Sequence, residues 1–399
     1  MPSFEAPDFY QVDELLTAEE RRLRDTVREW VERRFLPVVA QHYRDGTFPL
    51  DLIPELAQLR AFGPAINGYG CAGLGSVAAG LMMQELERGD SGLRTFASVQ
   101  GSLAMTAIYL FGSEEQKERW LPAMARGEKL GCFALTEPDF GSNPAGMRSR
   151  ARKTADGYRL SGAKKWIGNG TIADVAIVWA RVDGEPGIDP KSGEAIRGFL
   201  VEKGTPGFKA MLIDGKLSLR AALTAELTFE DCQLPATALL PASKGLRSPL
   251  ECLNHARYGI AWGALGAAMA CYDEARQYAL AREQFGRPIA AFQLVQAKLA
   301  RMLTEITKAQ LLALRLAQLK DAGQAKHYHI SMAKMNNVEI ALDAARAARD
   351  ILGGVGILDS HQCFRHMCNL ESVKTYEGTH DIHLLVLGQH ITGLPAFGG

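Results

Sequence analysis

No run of about 18 uncharged apolar residues occurs in the 399-residue chain, so no membrane-crossing helix is expected. Neither sign of charge is in excess: 45 Lys and Arg stand against 45 Asp and Glu, which leaves no footprint for nucleic acid or an anionic surface. Cysteine is scarce and odd in number, with 7 scattered residues that suit reduced, mostly buried thiols better than a disulfide framework. His361, Cys363, His366 and Cys368 are soft ligands close in sequence, but on one helix they would not converge on a tetrahedral metal without unwinding; packing and no metal are expected. The start has neither the basic-apolar pattern of a signal peptide nor the Arg-rich, acid-poor pattern of a transit peptide, so a cytoplasmic protein is expected. Gly68-Tyr-Gly-Cys-Ala-Gly73 has the GxGxxG form without the preceding strand a dinucleotide site needs, so it is read as a turn.

What is present points to more than one core, because 399 residues exceed what a single core normally fills. Thr17-Ala-Glu-Glu20 reads as a capping box, after which Leu23, Val27, Trp30 and Val31 recur at helical spacing until Pro37 ends the helix. Helical patterning then continues to about Gly127. From about residue 130 to 240 short β-branched and aromatic runs alternate with Gly, Pro and Asp, the texture of a small sheet or barrel. From Pro249 the helical period returns over 253–283, 289–321, 327–352 and 359–376, long Ala- and Leu-rich segments of a bundle. The expected fold is mostly α with a β insert: an N-terminal helical domain over 1–129, a β-barrel-like domain over 130–242 and a four-helix bundle over 243–399.

The chemistry centres on Lys374-Thr-Tyr-Glu377-Gly-Thr379-His380, where two helical segments meet at a glycine hinge. A carboxylate held beside such a hinge can be aimed and desolvated, which a base for a weakly acidic C–H requires. A solvated charge at a helix end is the simpler alternative.

Helices, a β insert and a helical bundle, in that order, resemble the acyl-CoA dehydrogenases, and several motifs carry the resemblance across nearly the whole chain. Phe133-Ala-Leu-Thr-Glu-Pro-Asp-Phe-Gly-Ser142 resembles the flavin-binding strand and loop, implying that Phe133, Leu135 and Thr136 meet the isoalloxazine of FAD and that Ser142 lies by its pyrophosphate and the substrate thioester. Lys165-Trp-Ile-Gly-Asn169 is similar to the segment covering one flavin face, through Trp166 and Ile167. It departs at Gly168, where the family usually places a hydroxyl on flavin N5. Arg282-Glu-Gln-Phe285-Gly, Gln293 and Asp350-Ile-Leu-Gly353-Gly354 match the contacts a neighbouring subunit makes with the adenosine end, which implies an oligomer, by family a homotetramer. Thr379 and Phe397 fall at the remaining flavin positions.

On the same resemblance Glu377 is the base that removes the α-proton, with the backbone at Gly378 near the thioester oxygen, and an electron-transferring flavoprotein is the electron acceptor. Leu250, Asn254 and Arg257 match the stretch that holds CoA. Arg94, with Thr95 and Ser98, resembles the glutaryl-CoA dehydrogenases, where an Arg binds the far carboxylate. A cation in an apolar pocket is costly unless an anion answers it. A surface Arg94 paired with Glu87 or Asp90 is the alternative. The expected reaction is FAD-dependent α,β-dehydrogenation of glutaryl-CoA with decarboxylation to crotonyl-CoA; a non-decarboxylating enzyme, another short acyl-CoA, or a binding protein that kept the fold are the alternatives.

Overall fold

The capping box at Thr17 forms: its hydroxyl accepts the Glu20 amide at 3.2 Å, and the Glu20 carboxylate accepts the Thr17 amide at 2.7 Å, satisfying two orphan donors. Here and below the protein is described from a computed structural model over residues 8–183 and 188–396. The helix so started, Ala18–Trp30 (α1), is not ended by Pro37. It passes through a π-helical turn, Val31–Phe35, into Leu36–Asp45 (α2), where Pro37 sits in the first turn. The wider turn before it lets the helix continue past a residue that has no N–H to donate.

After the short Ile53–Gln58 (α3), the GxGxxG stretch is turn and coil leading to Ser76–Gly89 (α4). Asp90 then turns the chain and caps Ser91–Ser98 (α5), its carboxylate accepting the Gly92 amide at 2.6 Å. A second π-helical stretch, Val99–Met105, leads to Thr106–Phe111 (α6), and Ser113 caps Glu114–Ala125 (α7) with its own capping box.

Seven strands form one sheet: Gly131–Ala134 (β1), Arg150–Lys153 (β2), Gly157–Gly168 (β3), Val175–Asp183 (β4), Ile196–Glu202 (β5), Phe208–Leu212 (β6) and Thr224–Pro235 (β7). β4 is buried on both faces, as its nearly unbroken apolar run requires. β1 lies at the end of the sheet and, among the described residues, pairs only with β4, in parallel, so no described strand covers its other edge. The antiparallel ladder between β3 and β7 shifts register between Lys164 and Ile167. Such a bulge re-aims side chains, and here it falls on Trp166, whose φ is 64°.

Arg247–Ala281 (α8), Gln293–Asp321 (α9), His327–Leu352 (α10), Cys363–Thr375 (α11) and His380–Thr392 (α12) complete the chain. A small hairpin of Glu283–Gln284 (β8) and Arg287–Pro288 (β9) turns α8 into α9. α8 is central, packing against α10 on one side and α4 on the other. Its glycines permit the approach: a Cβ on Gly266 would stand 1.8 Å from the Gln84 carbonyl oxygen of α4. Residues from α4, α5 and α8 accordingly share one apolar core. Among the described residues no helix is long and apolar enough to cross a membrane.

Candidate active site

α11 stops at Thr375 and α12 begins after Thr379, whose hydroxyl accepts the Ile382 amide at 3.2 Å. The turn between them is left-handed: φ is 53° at Glu377 and 95° at Gly378. For a glutamate that backbone costs about 1–3 kcal/mol and persists only where neighbours impose it. Two cations do so. Lys334 on α10 donates to the carbonyls of Tyr376 at 3.0 Å and Gly378 at 2.7 Å, while Arg257 on α8 donates Nε to the carbonyl of Glu377 at 2.6 Å. Position 378 admits no side chain, since a Cβ would come 2.9 Å from His383 Nε2 and 3.3 Å from Arg257 Nη2.

The turn aims Glu377 inward. Its Oε2 is inaccessible and has no hydrogen-bond partner among the described residues. Burial pushes the carboxyl pKa above its ordinary value, and Arg94, Arg257 and Lys334 pull part of that rise back. The same burial lowers Lys334 to about 7, although Glu377 draws it upward. A raised carboxyl ringed by three cations is a base with little solvation to shed.

Arg94 is not on the surface. It is fully buried on α5, with Nε donating to Glu87 Oε2 of α4 at 2.6 Å and Nη2 donating to the Tyr376 hydroxyl. Glu87, itself buried, holds the guanidinium firmly charged. Asp90, the other candidate partner, instead pairs with Arg365 at 2.9 Å. Arg94 Nη1, Glu87 Oε1 and Ser98 Oγ are buried without partners. Arg94 and Ser98, four residues apart, lie on one helix face, and Thr95 beside them is half-buried. Unpaired buried polar atoms are expensive and rare, and the two that can donate, Arg94 Nη1 and Ser98 Oγ, point to a polar guest. Gly263 of α8 leaves the room for the ion pair: a Cβ there would stand 2.0 Å from Glu87 Oε2.

Leu250, Asn254 and Arg257 share a face of α8 by their spacing, each half-buried. His255, unassigned from the sequence, is kept neutral by burial, its pKa lowered to about 4 with Lys320 adding to the shift.

Phe133 and Leu135 are buried, Thr136 half-buried and Ser142 exposed, along the uncovered edge of β1 and the loop after it. Trp166 is 58% exposed at the β3 bulge, and Ile167 is buried beneath it. The Thr136 carbonyl accepts the Lys165 amide at 2.9 Å, which joins the two segments. Beneath them lies a pair that sequence patterning does not single out: buried Lys164 donates to the Leu135 carbonyl at 3.0 Å and to Glu137 at 2.9 Å, while Glu137 accepts the amides of Arg148 at 2.6 Å and Ser149 at 2.9 Å. An uncovered strand edge, an exposed indole and hydroxyls suit the edge and face of a planar heterocycle. At Gly168 no hydroxyl is offered, and a Cβ would come 3.0 Å from Val99 Cγ2.

The second set stands apart. Arg282, Phe285, Gln293, Asp350, Gly353 and Gly354 are all exposed, Phe285 at 92%. Asp350 accepts from Lys298, and the Phe285 ring packs edge-on to Phe292. Among the described residues no hydrogen bond or ring contact joins this set to the Trp166 region. Phe397 lies outside the described residues.

Three family models match the chain in order: "Acyl-CoA dehydrogenase, N-terminal domain" over residues 17–128, "middle domain" over 132–232 and "C-terminal domain" over 243–392. The mitochondrial short-chain specific acyl-CoA dehydrogenase of Rattus norvegicus is 34% identical over 371 residues, 92% of this chain and 89% of that protein. An acyl-CoA dehydrogenase of Bacillus subtilis is 35% identical over 380 residues, 95% of this chain and 99% of its own. Among solved structures, a glutaryl-CoA dehydrogenase from Mycobacterium smegmatis is 52% identical with a TM-score of 0.93, covering 97% of both chains. Another structure of a glutaryl-CoA dehydrogenase from Mycobacterium smegmatis, in complex with FADH2, is 49% identical with a TM-score of 0.94 over 98% of both.

Proposed function

The chain belongs to the acyl-CoA dehydrogenase family, and from that premise we propose that it oxidises glutaryl-CoA at its α and β carbons and releases CO2 to leave crotonyl-CoA. One observation carries the choice of substrate: a fully buried Arg94 with an unpartnered Nη1, beside the unpartnered Ser98 hydroxyl and bonded to the tyrosine that precedes Glu377. A carboxylate four bonds from the thioester carbonyl would take both donors, while its α-carbon faced the base. The glutaryl-CoA dehydrogenases at 49% and 52% identity support the same reading.

In this reading Glu377 removes the α-proton, and the backbone at Gly378 lies by the thioester oxygen, where a polarising N–H acidifies that proton. FAD, when bound, accepts the hydride from the β-carbon. Phe133, Leu135, Thr136, Trp166 and Ile167 meet its ring, with Ser142 at its pyrophosphate and Thr379 nearby. Arg282, Phe285, Gln293, Asp350, Gly353 and Gly354 serve the adenosine end of a neighbour's cofactor, which makes the enzyme an oligomer, by family a tetramer. Leu250, Asn254 and Arg257 hold CoA, and Thr95 lines the acyl end with Arg94. Loss of CO2 from the enoyl intermediate leaves an electron pair that is protonated at the γ-carbon, a proton Glu377 carries from the first step. Electrons leave to an electron-transferring flavoprotein.

A second reading has an observation of its own. Glu87 already neutralises Arg94, so the site is balanced without a substrate carboxylate and a short neutral acyl chain would fit; the short-chain specific relative of Rattus norvegicus favours it. Product analysis with glutaryl-CoA separates them. Released CO2 and crotonyl-CoA are expected; glutaconyl-CoA alone would reject decarboxylation, and butyryl-CoA turned over as fast as glutaryl-CoA would reject the role of Arg94.

A further inference from the structure

Three consecutive carbonyls, at residues 376, 377 and 378, accept hydrogen bonds from the half-buried Arg257 and the buried Lys334, and Lys334 bonds the residues on both sides of Glu377. Lys334 is 1% exposed and lies on α10. Arg257 has a role in the CoA stretch already. Lys334 has none, and placing an ammonium in the interior is costly unless its surroundings use the charge.

We propose that Lys334 is a positioning residue for the base: it locks the left-handed turn that aims Glu377 and, while protonated, supplies a positive charge that favours the ionised carboxylate. This rests on Glu377 being the base. The geometry needs such a lock, because a glutamate in the left-handed region returns to the right-handed or extended wells unless neighbouring contacts hold it. One ammonium bonding the carbonyls on either side of the residue fixes the dihedrals between them. An ammonium has three donors; two are spent on the turn at 2.7 Å and 3.0 Å.

The charged and titratable groups that face Lys334 are Glu377 on the turn, Arg257 on α8, Arg94 on α5 and His383 on α12. Only Glu377 is an anion. The two guanidiniums stay charged at any working pH, and His383 stays neutral, its pKa lowered to about 3 by burial. Lys334 is therefore the one cation around the base whose proton can be lost near neutral pH, its pKa lying at about 7. The base and its positioning residue are coupled: removing either charge pushes the other toward its neutral form.

The test is α-proton exchange of a bound acyl-CoA in deuterated buffer, followed against pH for the wild type and for Lys334→Gln, Lys334→Arg and Glu377→Gln, with flavin absorbance and melting temperature measured on each. Lys334→Gln should move the acid limb up by about one pH unit, a tenfold loss of rate below it, while flavin content stays full. Lys334→Arg, which keeps the charge, should return the limb toward the wild type. A folded, flavin-replete Lys334→Gln protein with an unmoved limb overturns the proposal, even if its melting temperature falls. If neither Lys334 variant accumulates, the wild type and Glu377→Gln decide: the Lys334 ammonium, followed by its side-chain NMR shift, should titrate at lower pH in Glu377→Gln, where the carboxylate that holds it charged is gone, and an unmoved midpoint overturns the proposal. Exchange that survives in Glu377→Gln would instead reject Glu377 as base, a failure distinguishable from that of Lys334.

Discussion

Glu377 combines a strained backbone with an unsolvated carboxylate, and both have measurable consequences. Since burial raises its pKa and the base must be ionised to act, activity should fall as pH drops through a value above the ordinary carboxylate range, not at it. A pH profile of kcat/KM checks this; an acid limb at the value of a free glutamate would contradict it. Glu377→Gln should keep its flavin and lose turnover by a factor of about 100 to 10,000, the usual worth of a general base. At this scale the sequence was informative where chemistry is contiguous: the Tyr-Glu-Gly-Thr run marked the turn, and Arg94 was marked by the resemblance of its stretch to the glutaryl-CoA dehydrogenases. Lys334 was not legible, since a lysine in an Ala-rich helix reads as a solvated face, and its partners are backbone carbonyls supplied by a distant part of the chain.

Elements set these residues at their distances. The loop after β1 is tied to β3 by Lys164 and Glu137, a buried pair with bonds to backbone at both ends of the loop. Removing one partner strands the other, at a cost of about 3–5 kcal/mol. Glu137→Gln should therefore lower the melting temperature and weaken FAD retention together, measured by calorimetry and by flavin released on gel filtration. Gly168 tests a tighter constraint. Gly168→Thr should shift the flavin potential, but Val99 Cγ2 lies 3.0 Å from where a Cβ would be, so Gly168→Thr with Val99→Ala should bind FAD better than Gly168→Thr alone. Equal binding would show that Val99 yields freely. Helical period gave α10 to its ends, while α8 begins at Arg247, before the expected 253, and α9 at Gln293, after the expected 289; long apolar-faced helices have few competing readings, but their first turns do not share the period. It failed at Pro37, where a proline in a first turn looks the same in sequence as one that stops a helix.

At the scale of the whole molecule the candidate cofactor contacts divide into two groups that no hydrogen bond or ring contact joins among the described residues. The exposed Phe285, and Leu294 at 79% exposure beyond it, are large apolar surface of the kind that is covered by another chain. If each cofactor is shared between subunits, FAD loss should follow subunit dissociation. Diluting the holoenzyme through its dissociation range should release flavin in step with the fall in mass, read by light scattering and flavin fluorescence together, and Arg282→Ala should move both transitions to higher protein concentration. Flavin held by fully dissociated chains would refute the division. The order of helical, β and helical stretches was legible from residue pattern because it needs only local periods. Which ends of which helices meet another chain was not, since that depends on surfaces no single period describes.

The glycine at position 263 gives the buried ion pair its room. Its missing methyl is the gap into which Glu87 and Arg94 settle, so on the proposed reading the seat for a distal anion would be positioned by how closely helices lie, not by a loop that could drift. A scaffold of that kind acts as a ruler: it compares the length of a substrate with the spacing of two helix axes. Specificity in such an enzyme would change most readily by altering a residue that never touches the substrate.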